Sequence, residues 1–132
     1  MPPRFLTLSE VVLILEDQIR RYGGEFGVRD LFLLSSALAM PQAQYSGSYL
    51  HETIFDQAAA YAFHLCQNHP FLDGNKRVGL ASALVFLKLN GYEVEDPEEE
   101  LYELMMSVAA GGAQKNDIAA VFRRLSRPEL AE

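Results

Sequence analysis

Apolar side chains recur along this chain every three or four positions, the period of a helix with one buried face. Between Thr7 and Tyr22 they fall at Leu8, Val11, Val12, Leu15 and Ile19. Thr7 and Glu10 open that run at capping-box spacing, so each can satisfy a backbone donor the first turn leaves free, and Gly23-Gly24 ends it. A second helix is predicted from near Asp30 through Leu31, Leu34 and Leu38 to Met40, stopped by Pro41. A third covers roughly Glu52 to Gln67, with Ile54, Ala58, Tyr61, Ala62 and Leu65 on one face. A fourth spans Asn75 to Asn90. In Asp96-Pro97-Glu98-Glu99 the aspartate reads as the cap of a fifth, with proline in the first turn and Glu99 at the capping-box position. Asn116 is the expected cap of a sixth, running to about Leu125.

Alternation with period two is scarce. Gln44 to Tyr49 alternates around Gly47 and suits a short hairpin or flap, and Tyr92 to Val94 is another short strand candidate. No linker, repeat or low-complexity tract interrupts the chain. The pattern therefore predicts one all-α domain of about six helices with a short flap, over residues 1–132.

Composition narrows the function classes. With 132 residues, 49% of them apolar and 22% charged, the chain is of the globular kind. The single cysteine, Cys66, has no partner for an intrachain disulfide and reads as a small buried hydrophobe. Met1-Pro2-Pro3-Arg4 has no secretory-signal character, so the cytoplasm is the expected compartment. No apolar run approaches the roughly 18 residues of a membrane span. A net charge of −7 argues against direct nucleic-acid binding, which needs a basic footprint, while leaving room for a small local basic site. The carboxylates at 93, 95, 96, 98, 99, 100 and 103 are the sharpest charge run and read as a solvated helix start. Arg123, Arg124 and Arg127 suit a helix C-terminus.

One stretch does not look like packing: His69-Pro70-Phe71-Leu72-Asp73-Gly74-Asn75-Lys76-Arg77, directly before an apolar helix. His69 can take a proton near neutral pH. Asp73 can hold a hard cation such as magnesium while phosphates supply further oxygens. Gly74 permits a tight turn, after which the backbone N–H groups of a helix N-terminus form an anion cradle. Lys76 and Arg77 oppose the helix dipole there, a local cost that an anion between them removes, so the pair points to phosphate. The spacing is not that of a P-loop. His64 and His69 are five apart and belong to no Cys/His set, so they do not form a zinc motif, and His64 reads as an ordinary residue of the third helix.

This nine-residue stretch resembles the signature of the Fic/Doc family, in its Doc-like toxin branch. Arg21-Tyr22-Gly23-Gly24, Gly27-Val28-Arg29-Asp30, Ser36 to Gln42 and Phe86 to Tyr92 are similar to stretches of the same branch. The resemblance implies an all-α core that holds ATP and transfers part of it to a protein hydroxyl. It makes His69 the general base, Asp73 the magnesium residue, and Gly74, Asn75, Lys76 and Arg77 the phosphate grip. Lys76 and Arg77 are counted with His69 and Asp73 as catalytic.

Members that transfer AMP typically carry glycine where this chain has Lys76, and a second arginine where it has Leu80. Both departures resemble the Doc branch, which implies transfer of the γ-phosphate to a Ser or Thr hydroxyl, with translation elongation factor Tu as the expected acceptor. An AMP transferase and a non-catalytic binding module are the alternatives. The inhibitory pattern [Ser/Thr]-x-x-x-Glu-[Gly/Asn] does not occur, the nearest approach, Ser48 to Glu52, being followed by Thr53. An antitoxin supplied in trans is therefore expected, docking by an amphipathic helix. The resemblance also makes the segment around Tyr45, Gly47 and Tyr49 a flap that aligns the target.

Overall fold

The computed structural model describes residues 2–129, in the order α1 (Leu8–Tyr22), α2 (Leu31–Ala39), β1 (Gln44–Tyr45), β2 (Ser48–Tyr49), α3 (Ile54–Asn68), α4 (Asn75–Leu89), β3 (Tyr92–Val94), α5 (Glu100–Ala109), α6 (Lys115–Leu125) and β4 (Ser126–Pro128). The six helices are those the periodicity predicts, with shifted ends. Helix α1 has the Thr7–Glu10 capping box, and Asp30 caps α2 by accepting from the Leu33 N–H at 3.0 Å. Helix α3 begins two residues later than expected, because Thr53 and Asp56 form their own capping box.

Two starts need correction. Asp96 does cap α5, but from four residues upstream: its carboxylate accepts from the Glu100 and Leu101 amides at 2.8 and 2.9 Å. Glu99 occupies the left-handed cap position and forms no capping box. At α6 the cap is Gln114 rather than Asn116, with its N–H donating to Asp117 at 2.8 Å.

Helix α3 is the centre, packed against α2, α4, α5 and α6. Its Ala58, Ala59, Ala60 and Ala62 are fully buried and let neighbouring backbones approach. At the α3–α4 crossing a side chain on Gly79 would lie 2.9 Å from the Ala62 carbonyl, so glycine sets the distance between these two helices. Tyr61, Phe71, Phe86 and Phe122 are the largest buried rings. Each contributes roughly 1.5–3 kcal/mol relative to exposure. Burial pushes the Tyr61 phenol up to about 12, and its oxygen accepts the Leu6 N–H at 2.8 Å.

The strands are two separate antiparallel pairs. In β1–β2, Gln44 pairs with Tyr49 and Tyr45 with Ser48, joined by Ser46-Gly47 with φ of 52° and 82°, the tight-hairpin geometry. The expected strand at Tyr92–Val94 finds its partner in β4, which periodicity did not reveal. The acidic run proves only partly a solvated face. Arg124 pairs with Glu100 and Arg127 with Glu95, so the last turn of α6 and the β4 strand meet carboxylates at the start of α5 and just past the end of β3.

Candidate active site

Helix α3 ends on His69, whose backbone turns left-handed at φ 51° and ψ 51°. That conformation costs a non-glycine residue about 1–2 kcal/mol, so neighbours must hold it. Arg29 does so from the chain before α2, donating through Nε to the His69 carbonyl at 2.8 Å and through Nη2 to that of Asn68 at 3.4 Å. The Pro70 carbonyl accepts from the Arg29 and Asp30 amides at 2.7 and 3.1 Å, and the Leu72 amide donates to Gly27 at 3.0 Å. Residues 27–30 and 70–72 thus run as a laced pair, anchored by the buried Phe71.

Asn75, the first residue of α4, is buried, and its side chain is committed inward. Its Oδ1 accepts the Phe71 N–H at 3.0 Å, and its Nδ2 donates to the Phe71 carbonyl at 3.1 Å. Those two backbone groups fix which end of the amide is which, so Nδ2 also donates to His69 Nδ1, at 2.9 Å. A neutral imidazole accepting at Nδ1 carries its proton on Nε2. Asn75 was expected to grip phosphate; its side chain instead orients the histidine, and only its backbone N–H remains for an anion.

The start of α4 is bare. Gly74 sits left-handed at φ 76° as the cap and offers no side chain, and the first helical bond is Val78 N–H to the Gly74 carbonyl at 2.8 Å. The amides of Asn75, Lys76 and Arg77 precede that bond and point out of the positive end of the helix. Lys76 is exposed beside them. Arg77 is half-buried, donating through Nη2 to the Gly23 carbonyl at 3.1 Å with its guanidinium 5.5 Å from the Tyr22 ring centre. Asp73 is exposed; Oδ1 accepts the Gly74 N–H at 2.9 Å and Oδ2 the Glu25 N–H at 3.4 Å.

His69, Asp73, Gly74, Asn75, Lys76 and Arg77 all line one cavity of about 380 Å³, with Cys66 and Ala109 among its other walls. The fold therefore brings together every residue of the predicted catalytic and phosphate set. Burial pushes the Cys66 thiol up, against a smaller opposing influence of Lys76, which suits an inert buried sulfur. Asp73 is the one carboxylate among the residues lining this cavity, and one carboxylate plus phosphate oxygens is a donor set that a hard cation such as magnesium can use. Leu80 lies elsewhere, in an apolar groove with Leu84 and Val94.

The expected flap residues do not line this cavity. Tyr49 stands edge-on to Phe5 at 5.7 Å, Tyr45 is exposed, and Gly47 supplies the hairpin turn. Phe55, Tyr61 and Phe63 also stay out of it, as packing residues. A second polar cluster has no sequence motif. The Lys115 amine lies 3.1 Å from His51 Nε2 and 3.0 Å from His64 Nε2, donating to both rings. Burial, then the Lys115 charge, then His51 push His64 down to about 4. Burial and Lys115 lower His51 as well, and burial lowers Lys115.

Among the described residues no helix is long and apolar enough to cross a membrane. The model of the Fic/DOC family matches residues 5–87, a span that contains the whole cavity loop. The chain is 39% identical over 101 residues to a protein named Toxin Doc from Mycolicibacterium smegmatis, an alignment covering 75% of this chain and 78% of that one. It is 32% identical over 122 residues to Protein kinase doc of Escherichia phage P1, covering 92% and 95%.

Proposed function

The chain belongs to the Fic/DOC family, and on that premise we propose that it is a Doc-type toxin transferring the γ-phosphate of ATP to a Ser or Thr hydroxyl of a protein. The observation that carries this is the uncapped start of α4, where free amides, Lys76 and Arg77 share a cavity with Asp73 and His69. Such a site takes a polyphosphate, and the names of the two relatives favour a toxin with kinase chemistry.

The roles divide by position. The amides of residues 75–77, with the charges of Lys76 and Arg77, bind and orient the phosphates, which is most of what phosphoryl transfer needs. Asp73 is the residue to hold magnesium, which when bound neutralises charge on the phosphates. His69 is the base for the acceptor hydroxyl. In the resting state its proton sits on Nε2, so action as a base at that atom requires the ring proton to shift to Nδ1. That shift sets the Nδ1–H against the Asn75 amide donor, a cost of about 1–3 kcal/mol that the catalytic gain must exceed. The acceptor we infer is translation elongation factor Tu, and the partner an antitoxin supplied in trans.

The test is transfer of label from ATP to purified elongation factor Tu. Label from the γ position and none from the α position supports the kinase reading. Label from the α position makes the protein an AMP transferase instead, and binding of ATP without transfer to any cell protein makes it a binding module.

A further inference from the structure

The run Arg21-Tyr22-Gly23-Gly24 has no part in the chemistry above, yet it faces two of the three charged side chains of the cavity, Arg77 and Asp73. Tyr22 is the last residue of α1, and the chain then turns through Gly23 and Gly24 at φ of 83° and 114°. The Gly23 carbonyl accepts from Arg77, and the Tyr22 ring lies beside the same guanidinium. A side chain on Gly24 would sit 2.7 Å from Asp73 Oδ2 and displace that carboxylate, the φ of 114° itself favours glycine, and the next amide, Glu25, donates to Asp73. Behind the turn, the Ile19 side chain packs toward both Gly24 and Gly74.

We propose that the turn Tyr22 to Glu25 is a positioning wall for the nucleotide site, with Tyr22 and the Gly23 carbonyl aiming Arg77 into the cavity while Gly24 and Glu25 seat Asp73. The inference rests on the phosphate-binding reading given above. Its physical content is the separation of two opposite charges four residues apart. Arg77 and Asp73 line the same cavity yet form no ion pair with each other, and such a pair would neutralise both before any ligand arrived. The wall gives each a separate partner instead. Arg77 has five N–H donors in a fixed fork, and the Gly23 carbonyl uses one, leaving others for phosphate. Tyr22 is 65% exposed, so its ring is spent on this contact rather than on the core.

The test is calorimetric titration of ATP with magnesium chloride into wild-type protein and Tyr22→Phe, Tyr22→Leu, Arg77→Ala and Tyr22→Leu/Arg77→Ala, with a thermal melt of each. Tyr22→Leu should weaken ATP binding about two- to five-fold, the size of an exposed cation–π contact, at an unchanged melting temperature. Tyr22→Phe keeps the ring face and should match wild type. In the Arg77→Ala background Tyr22→Leu should have no further effect, because its influence passes through the guanidinium. Unchanged or tighter binding by Tyr22→Leu, an additive double variant, or a Phe variant as weak as Leu overturns the proposal. Wild-type protein that binds no ATP overturns the site reading itself, and this inference with it.

Discussion

Helices α4 and α6 each carry a lysine in the first turn, Lys76 and Lys115, where the helix dipole disfavours a cation. The two ends solve the problem in opposite ways. At α6 the start is closed by the Gln114–Asp117 contact, and the Lys115 amine is held between the rings of His51 and His64. At α4 the cap is a glycine, Lys76 is exposed, and the amides face a cavity. His64 within α3 and His69 at its C-terminal cap divide in the same way. His64 is held neutral inside the cluster, whereas His69 stands at the helix end with one ring nitrogen oriented by Asn75 and the other open. Two runs of similar residues thus become a structural junction and a binding site, and the difference lies in whether the protein or a ligand completes the hydrogen bonds.

The largest test of this contrast is His69. Because its backbone is left-handed, His69→Asn is a better variant than His69→Ala, asparagine being tolerant of that conformation. It should keep fold and ATP binding and lose roughly a hundred- to ten-thousand-fold in transfer rate, read from steady-state kinetics. A variant at the parent rate removes His69 from the chemistry.

Matched lysine substitutions probe the two helix ends directly. Lys76→Met should weaken ATP binding roughly ten- to hundred-fold, as loss of a charge-assisted hydrogen bond does, with stability within about 0.5 kcal/mol of wild type. Lys115→Met should do the reverse. It leaves two half-buried imidazoles without their donor and should cost about 1–3 kcal/mol in a urea unfolding curve, with ATP affinity unchanged. Equal effects at both positions would erase the distinction between junction and site.

Asp73→Asn should lower transfer by about an order of magnitude, with partial recovery at high magnesium if metal affinity is its whole contribution. Rate measured against magnesium concentration for both proteins decides it. Superimposable curves leave Asp73 as a turn residue beside Gly74.

The smallest effect is on pH. Unfolded His64 takes a proton near its ordinary 6.5 and the folded residue only at about 4. Between those values the unfolded state binds more protons, so this contribution is intact above 6.5 and is lost as pH falls toward 4. Urea midpoints from pH 7 to 5 should therefore fall more steeply for wild type than for His64→Gln. Parallel slopes would show that the cluster does not favour the neutral ring.

Local signals account for much of this molecule. The helices follow from apolar spacing, and the ends of α1 and α2 from Thr7, Glu10 and Asp30, because a cap and the amide it satisfies lie within one turn. The cavity loop was legible for the same reason: His69, Asp73, Gly74, Lys76 and Arg77 are chain neighbours, and the glycine and helix start that aim them are neighbours too. What the chain order hides are contacts between distant segments. Arg29 reaches His69 across 40 residues, Arg77 reaches Gly23 across 54, and Lys115 reaches His64 and His51 across 51 and 64. The pairing of β4 with β3 and the inward turn of Asn75 are likewise tertiary outcomes. A side-chain amide or amine has no preferred direction until packing removes its access to water, and the partner it then meets depends on where the helices cross, here at the close approach of Gly79 to Ala62.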